Sequence, residues 1–296
     1  MSIRIHDSYR MGVALVCALM VAVCVVEARG GTLRFAPLPL EDRKIIHEQF
    51  FGLADYLQKE TGLSLEMVHL SDYGDIIDSF RRNEIDLAYL GPLPYVILKR
   101  DFPAAEPLAC FRDVSGAASY TCSLIVYGDG GLQAADLKGR RFGLTQPYST
   151  CGYLAVSEML GQAGLSLQGD GNSFVYAGSH SKAALGVARG EFEVAGVKTA
   201  IARRYLHLDL HIIAESRPYP GFTLVANRNK LAPDSLRKLR AALLGLQQAS
   251  DPGMRALVKG WGRHLRQGTV PPQQCDYSGV AEALRHVPSP IPGARP

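Results

Sequence analysis

Apolar positions in the first third of the chain follow two different periods. Between residues 41 and 60, Ile46, Phe50, Leu53 and Leu57 recur at helical spacing, which predicts a helix with one apolar face. Short apolar runs without this spacing lie on either side and are typical of strands. The pattern predicts strands at 32–36, 65–69 and 85–90, and helices at 41–60, 72–82 and 91–99. This alternation indicates a mostly parallel sheet covered by helices.

The alternation is interrupted and then resumes. Extended runs at 108–111 and 120–127 lie on either side of Gly116. The resumed pattern predicts strands at 141–144, 174–177, 193–197 and 210–214, and helices at 150–161, 179–189 and 199–206. After a break at 218–221, the chain is predicted to be extended at 223–226 and helical at 233–247. The proline-rich tail from Pro271 is predicted to be irregular.

Two such blocks joined by paired extended crossings predict an α/β protein with two lobes and a hinge. We expect residues 29–118 to form the first part of lobe 1 and residues 119–216 to form lobe 2. Residues 217–296 are expected to return to lobe 1 and end in the C-terminal tail. Ligands of such sheets bind outside the carboxyl ends of the strands, so the cleft between the lobes is the expected site.

The N-terminus has the pattern of a signal peptide. Arg4 and Arg10 form a basic region at the start of the chain. An apolar run at 11–26 follows, which is short for a membrane span. Val26 and Ala28 are small enough for signal peptidase cleavage after Ala28. The sequence therefore predicts that residues 1–28 are removed and that the mature protein is in the periplasm. An uncleaved membrane anchor is the alternative.

Charge and motifs narrow the function further. The net charge of +4 is mild and dispersed, which argues against nucleic acid as a partner and fits a small anionic ligand. The sequence contains no glycine-rich nucleotide loop and no Gly-x-Ser-x-Gly elbow. We therefore expect no cofactor, no metal and no catalytic residue, and we expect a monomer.

The segment 144–153 is the most informative one for a binding site. A strand ends, a turn with proline follows, and Ser149 and Thr150 open a helix. Free N–H groups and hydroxyls at a helix start can hold an anion, although the same residues are also ordinary N-caps. Ser149 and His180 with Asp170 or Glu193 would suggest a hydrolase, but a hydroxyl cluster at a helix start requires no nucleophile to explain it.

Several segments of the sequence together resemble a known family. The segments are DY at 72–73, IDLAYLGPLPY at 85–95, STCGY at 149–153 and GSH at 178–180. In this order they resemble the PhnD-like substrate-binding proteins of ABC importers for phosphonate, phosphite and phosphate, over residues 30–250 or so. The resemblance implies a type II periplasmic binding protein fold with an inter-lobe ligand cleft. It also implies a small oxyanion ligand and an ABC permease partner at the inner membrane.

The resemblance also implies a set of ligand residues. They are hydroxyl and imidazole groups, which donate to the oxygens of a phosphoryl-like group. Residue by residue, the family's ligand set corresponds to Tyr73, Tyr120, Ser149, Thr150, Cys151 and His180.

Two departures from the family concern a ligand amine. Relatives that hold an aminoalkyl group use acidic residues, of which one is expected near Lys198 and another near Gly221 and Phe222. A lysine cannot pair with an amine. The sequence therefore favours phosphate, phosphite or a simple phosphonate, with Lys198 as a further ligand residue or as a solvated lysine at a strand end.

The cysteines of the mature chain allow several pairings. In an oxidising compartment Cys110 could pair with Cys122 across a hairpin, or Cys122 could pair with Cys151. The family has a serine where Cys151 stands, and a thiolate there would repel an anion. We hypothesise a Cys122–Cys151 disulfide, and the alternatives are a free buried thiol or a sulfur ligand for arsenite. The alternative function is a binding protein of the same fold that senses an oxyanion or arsenite and signals to a histidine kinase.

Overall fold

A computed structural model of the protein describes residues 31–128, 131–246 and 251–290. The predicted signal peptide at 1–28 lies outside the described residues. From Leu33 onward the described residues belong to one compact unit. None of the helices in these ranges is long and apolar enough to cross a membrane.

Strands and helices alternate through most of this unit. The strands are β1 (Leu33–Pro37), β2 (Leu65–Met67), β3 (Leu87–Leu90), β4 (Ala105–Phe111), β5 (Ser119–Tyr120), β6 (Cys122–Tyr127), β7 (Arg141–Leu144), β8 (Ser173–Tyr176), β9 (Val194–Lys198), β10 (Leu210–Glu215), β11 (Tyr219–Pro220), β12 (Thr223–Asn227) and β13 (Thr269–Val270). The helices are α1 (Arg43–Thr61), α2 (Tyr73–Arg81), α3 (Pro92–Asp101), α4 (Ala155–Gln162), α5 (His180–Ala188), α6 (Thr199–Ala202), α7 (Pro233–Gly245), α8 (Pro252–Val258) and α9 (Ser278–His286).

The larger strands form two separate sheets. The first sheet has six strands in the order β13-β4-β12-β3-β1-β2, and the second has five in the order β10-β6-β9-β7-β8. In the first sheet β1 runs parallel to β2 and β3, and in the second β7 runs parallel to β8 and β9. All four residues of β3 are buried, as expected for a strand with helices on both faces. The parallel strands place several loops and helix starts at one edge of each sheet.

Two short strands connect the sheets. The chain leaves the first sheet through β5 and returns through β11, and these strands pair antiparallel, with Tyr120 opposite Tyr219. Gly221 follows directly, and a Cβ there would lie 2.3 Å from the carbonyl oxygen of Phe111. Any larger residue would push the chain after β11 away from the end of β4. These are the paired extended crossings that the sequence predicts.

The C-terminal tail is more ordered than the sequence predicts. Residues after Pro271 include the helix α9, in which Val280 and Leu284 are buried. Beyond α9, the carbonyl of Pro288 accepts a hydrogen bond of 2.8 Å from the hydroxyl of Tyr153. The expectation of an irregular tail is therefore wrong, because the prolines precede an amphipathic segment that packs on the protein. Helix α6 is shorter than predicted, and α8 was not predicted at all.

A disulfide links the second sheet to a helix start. Cys122 at the beginning of β6 is bonded to Cys151, which lies in the wide first turn leading into α4. The alternative Cys110–Cys122 pairing is wrong, because β4 and β6 belong to different sheets rather than to one hairpin. Of the cysteines in the described ranges, Cys110 and Cys275 are buried free thiols.

We predict that removing this disulfide lowers stability. The bridge spans 29 residues. By loop-closure entropy, a loop of that length is worth roughly 3–4 kcal/mol of unfolding free energy. A Cys122→Ser/Cys151→Ser variant should therefore unfold at lower urea than the oxidised protein. Dithiothreitol should destabilise the wild type to a similar extent and leave the variant unchanged. Equal stability of the variant and the oxidised protein would contradict this prediction.

Candidate functional site

One small cavity lies at the carboxyl ends of strands from both sheets. Its volume is ≈ 10 Å³, which is room for about one water molecule. Residues of both sheets and of the crossing strand β5 contribute to its wall. The lining residues are Leu38, Leu40, Tyr73, Gly91, Pro94, Tyr120, Ser149, Thr150, Cys151, His180, Lys198 and Phe222. All of the ligand residues expected from the sequence are in this set.

The helix start at Ser149 faces this cavity. The Ser149 hydroxyl oxygen accepts a hydrogen bond of 3.0 Å from the backbone N–H of Gly152, so Ser149 is an N-cap. The hydroxyl hydrogen of Ser149 is not used in this bond. The first N–H groups of a helix have no acceptor within the helix, and the helix dipole makes this end positive. The N-cap and anion-binding roles of Ser149 are therefore compatible.

A glycine permits the tight packing behind this turn. A Cβ on Gly152 would lie 2.0 Å from the hydroxyl oxygen of Thr145 and 2.6 Å from its backbone nitrogen. Only glycine allows the helix start to approach the end of β7 so closely. The same turn is held from the other side by the Cys122–Cys151 disulfide.

Thr150 connects the two sheets across the cavity. Its hydroxyl oxygen accepts a hydrogen bond of 3.0 Å from the backbone N–H of Leu93, in the first turn of α3. Pro92 and Pro94 lie beside Leu93 and have no N–H, so Leu93 provides the donor at this position. The two helix starts, one from each sheet, therefore meet at Thr150.

His180 is a neutral donor with a defined tautomer. Its Nδ1 accepts a hydrogen bond of 3.1 Å from the backbone N–H of Lys198. Burial, with a further contribution from the Lys198 charge, lowers the pKa of His180 to about 3. The ring is therefore uncharged at neutral pH, and its proton is on Nε2. Because His180 lines the cavity, this Nε2–H is a candidate donor to a ligand oxygen.

Two tyrosines provide further neutral donors. Tyr73 begins α2, which Asp72 caps, and Tyr120 ends β5. Burial raises the pKa of both hydroxyls above the usual value of 10.0. Both rings therefore keep their O–H protons at any physiological pH. A protonated hydroxyl donates a hydrogen bond without bringing a charge into the cavity.

Gln146 is a structural residue that the sequence-based set does not contain. Its side-chain oxygen accepts a hydrogen bond of 2.9 Å from the backbone N–H of Tyr73. Its amide nitrogen donates to the carbonyls of Gly178 at 2.9 Å and Ser71 at 3.4 Å. One side chain thus ties together the segments that carry Tyr73 and His180. A glutamine after a strand gives no sequence signal for this role.

Asp113 is the other residue missing from the expected set. Its Oδ1 lies 2.5 Å from the Nζ of Lys198, and the side chains are 9% and 7% exposed. Lys198 is therefore not a solvated lysine. Its Nζ also lies 4.6 Å from the ring centroid of Tyr120 and 5.1 Å from that of Phe222. A carboxylate does stand beside Lys198 and Phe222, but it comes from the turn after β4.

The acids considered for a hydrolase lie elsewhere. Glu193, which precedes β9, forms an ion pair of 2.7 Å with Arg140. Asp170 accepts a hydrogen bond of 2.8 Å from the backbone N–H of Ser166. Neither carboxylate lines the cavity, and the Nδ1 of His180 already binds a backbone N–H. Ser149 and His180 therefore lack the third member of a triad.

The comparisons with known proteins agree with this architecture. A family described as ABC transporter, phosphonate, periplasmic substrate-binding protein matches residues 35–277. The chain belongs to this family. Its members are periplasmic proteins that bind a substrate for transport and are not enzymes. The chain has the two-lobe, type II periplasmic binding protein fold, with one lobe built on each sheet and the cleft between them.

Individual relatives cover most of the chain. The phosphate-import protein PhnD of Mycolicibacterium smegmatis is 26% identical, with 97% of each chain covered. Among solved structures, PhnD1 from Prochlorococcus marinus in complex with methylphosphonate has a TM-score of 0.73 at 19% identity, covering 86% of this chain and 97% of its own. A binding protein component of an ABC phosphonate transporter from Pseudomonas aeruginosa has a TM-score of 0.72 at 21% identity, with coverage of 86% and 85%.

We predict that the two nitrogens of His180 have separable roles. In His180→Asn, the side-chain oxygen can replace Nδ1 as acceptor for Lys198, but the Nε2–H donor is lost. Ligand affinity should fall by about 1.5–3 kcal/mol, the value of a hydrogen bond to a charged group. His180→Gln, which places an amide N–H near the Nε2 position, should retain more affinity. Isothermal titration calorimetry measures both, and wild-type affinity in His180→Asn would contradict the assignment.

The low pKa of His180 also predicts a pH dependence of stability. The unfolded chain binds a proton at this ring below about pH 6.5, whereas the folded protein does so only below about pH 3. The free energy of unfolding therefore decreases as the pH falls from about 6.5 toward about 3. The decrease is up to about 1.4 kcal/mol per pH unit. Urea unfolding between pH 6.5 and 4.5 should give a shallower loss for His180→Asn than for the wild type. Parallel pH profiles would contradict this prediction.

Proposed function

We propose that this protein is the exported receptor of an ABC importer for a small phosphorus oxyanion without an amine, such as phosphate, phosphite or a simple phosphonate. The observation that carries the proposal is the convergence of neutral donors on one small cavity. Hydroxyls of Tyr73, Tyr120, Ser149 and Thr150 and the Nε2–H of His180 belong to its wall. We assign ligand binding to these groups, together with Lys198 and the backbone of Cys151.

The chemistry of the wall suits a tetrahedral anion. Donors come from both lobes, so they can surround the oxygens of one phosphoryl group. Neutral donors and a helix start stabilise the anion in its charged form, so the anion need not take up a proton on binding. With a volume of ≈ 10 Å³, the cavity in this conformation leaves no space for a large substituent.

Two relatives support the absence of an amine. The Mycolicibacterium smegmatis relative is named as a phosphate importer, and the Prochlorococcus marinus structure contains methylphosphonate. Neither phosphate nor methylphosphonate carries an amine. In this chain, the residues that line the cavity include no carboxylate, and Asp113 is already paired with Lys198.

We further propose that the lobes close over the ligand and that the closed form docks on the permease as a monomer. We assign residues 29–118 and 217–296 to one lobe and residues 119–216 to the other, and the division of the longer strands between two sheets supports this assignment. The contacts of Thr150 with Leu93 and of Gln146 with Tyr73 join these lobes. Binding between such lobes is expected to shift the protein toward its closed form.

The arsenite alternative loses its proposed ligand. It requires a free thiol at the helix start, and Cys151 is bonded to Cys122. Only the arsenite form of the sensor alternative rested on that thiol, and an oxyanion sensor that signals to a histidine kinase would use the same donors as an importer.

We predict that the Thr150 hydroxyl contributes to binding. Thr150→Ala should weaken phosphate or methylphosphonate binding by about 1.5–3 kcal/mol, because it removes a donor to a charged group. Thr150→Ser keeps the hydroxyl and serves as the matched control, with affinity close to the wild type. Calorimetry on variants with a normal circular dichroism spectrum provides the measurement. Unchanged affinity in Thr150→Ala would contradict the assignment.

We also predict the order of ligands. Phosphate, phosphite or methylphosphonate at about 100 times its Kd should stabilise the mature protein by roughly 2.7 kcal/mol. 2-Aminoethylphosphonate should stabilise it much less. A thermal-shift series with these compounds tests the order, with sulfate and arsenite as comparison anions. A preference for 2-aminoethylphosphonate over all amine-free ligands would refute the proposed ligand class.

A further inference from the structure

We propose that Lys198 is a built-in ammonium group that occupies a complete amine-binding subsite inside the ligand cleft. The subsite consists of Asp113, Tyr120 and Phe222, and it is named the ammonium subsite below. In this view the protein fills the subsite with its own side chain, so an aminoalkyl ligand is excluded. The inference rests on the proposed function, since it assigns the residue that determines the ligand class.

The geometry around Nζ is that of a receptor for an alkylammonium ion. One carboxylate oxygen of Asp113 lies 2.5 Å away, and the rings of Tyr120 and Phe222 have their centroids at 4.6 and 5.1 Å. Carboxylates and aromatic faces are the groups that bind ligand ammonium ions in other proteins. The Tyr120 and Phe222 rings also contact each other, with centroids 5.4 Å apart. Tyr89 stacks on Phe222 and holds it in place.

The ammonium subsite is continuous with the oxyanion donors. Lys198, Tyr120 and Phe222 line the same cavity as Ser149 and Thr150. A ligand that carries a phosphonate and an amine on a short chain would therefore bring its ammonium close to Nζ. Two like charges in a buried site repel strongly, because little water screens them. The lysine can thus reject an amine even though an acid is present.

Asp113 is positioned independently of Lys198. Its backbone N–H donates to the carbonyl of Ala117 at 2.7 Å, and its own carbonyl accepts from the N–H of Gly116 at 2.7 Å. This hydrogen-bonded turn follows β4. The carboxylate is therefore expected to keep its place when the lysine side chain is removed. A buried carboxylate without a partner is costly, so it should bind an ammonium supplied from solution.

The test is a gain of amine binding in Lys198→Ala. We expect the variant to bind 2-aminoethylphosphonate at least about tenfold more tightly than ethylphosphonate, a ratio equivalent to about 1.4 kcal/mol. The wild type should prefer ethylphosphonate. Adding Asp113→Asn to Lys198→Ala should abolish the amine preference. If Lys198→Ala prefers ethylphosphonate as the wild type does, the inference is wrong.

A second readout does not depend on any oxyanion. Lys198→Ala removes the atoms of a propylammonium group, so propylammonium should raise its unfolding temperature more than propanol does. The wild type and Lys198→Ala/Asp113→Asn should respond equally to both additives. Equal responses in Lys198→Ala would overturn the ammonium subsite, even if the protein binds phosphate. Conversely, rescue by propylammonium in a protein that binds no phosphorus oxyanion would refute the proposed function and leave the subsite itself supported.

A third variant covers the case in which Lys198→Ala does not fold. Lys198→Gln keeps much of the side-chain volume and can donate a hydrogen bond to Asp113, but it carries no charge. The ratio of its affinity for ethylphosphonate to its affinity for 2-aminoethylphosphonate should be at least about tenfold smaller than in the wild type. This change corresponds to about 1.4 kcal/mol. Wild-type discrimination in Lys198→Gln would show that the lysine charge does not select the ligand.

Discussion

The burial of charge in the cleft is the constraint on which the other features of the site depend. Removing an ion from water costs several kcal/mol even in a relaxed protein interior, unless hydrogen bonds replace the lost solvent. The groups that we propose as replacements here are neutral and fixed. Burial keeps Tyr73 and Tyr120 protonated, and a backbone N–H on Nδ1 leaves the Nε2 of His180 as a donor. Such donors are oriented by the fold, so little further reorganisation is needed when an anion binds.

That orientation depends on covalent and steric restraints away from the cavity. The helix start at Ser149 can lie against β7 only because residue 152 is glycine, and the Cys122–Cys151 disulfide ties it to β6. Gln146 then fixes this turn relative to Tyr73 in the other lobe. A serine, as expected from the family at position 151, could not form the covalent link. At position 151 the disulfide therefore stands in place of the expected serine hydroxyl. It restrains the positions of the neighbouring residues Ser149 and Thr150.

The sequence predicts the elements and several residues that line the cavity, because both leave short-range signals. Helix α2 with its Asp72 cap and strand β7 agree closely with the apolar pattern, and the helix start at Ser149 lies in one continuous segment. Long-range partners leave no such signal. Asp113 lies 85 positions before Lys198, and the sheets must form before the two meet. Helix α9 was not predicted for a different reason. The proline-rich sequence around it indicated irregular structure, although its apolar residues have helical spacing.

The Lys198–Asp113 ion pair connects ligand selection with closure. Asp113 follows β4 in the lobe of the first sheet, Lys198 ends β9 in the lobe of the second, and Tyr120 lies on the crossing between them. The ion pair therefore forms across the cleft. Tyr120, on the crossing between the lobes, places its ring against the Lys198 ammonium group. A ligand can favour the closed form only as far as it binds that form better than the open one. An amine-free oxyanion leaves the ion pair intact, whereas a ligand ammonium would compete with Lys198 for Asp113 and oppose closure.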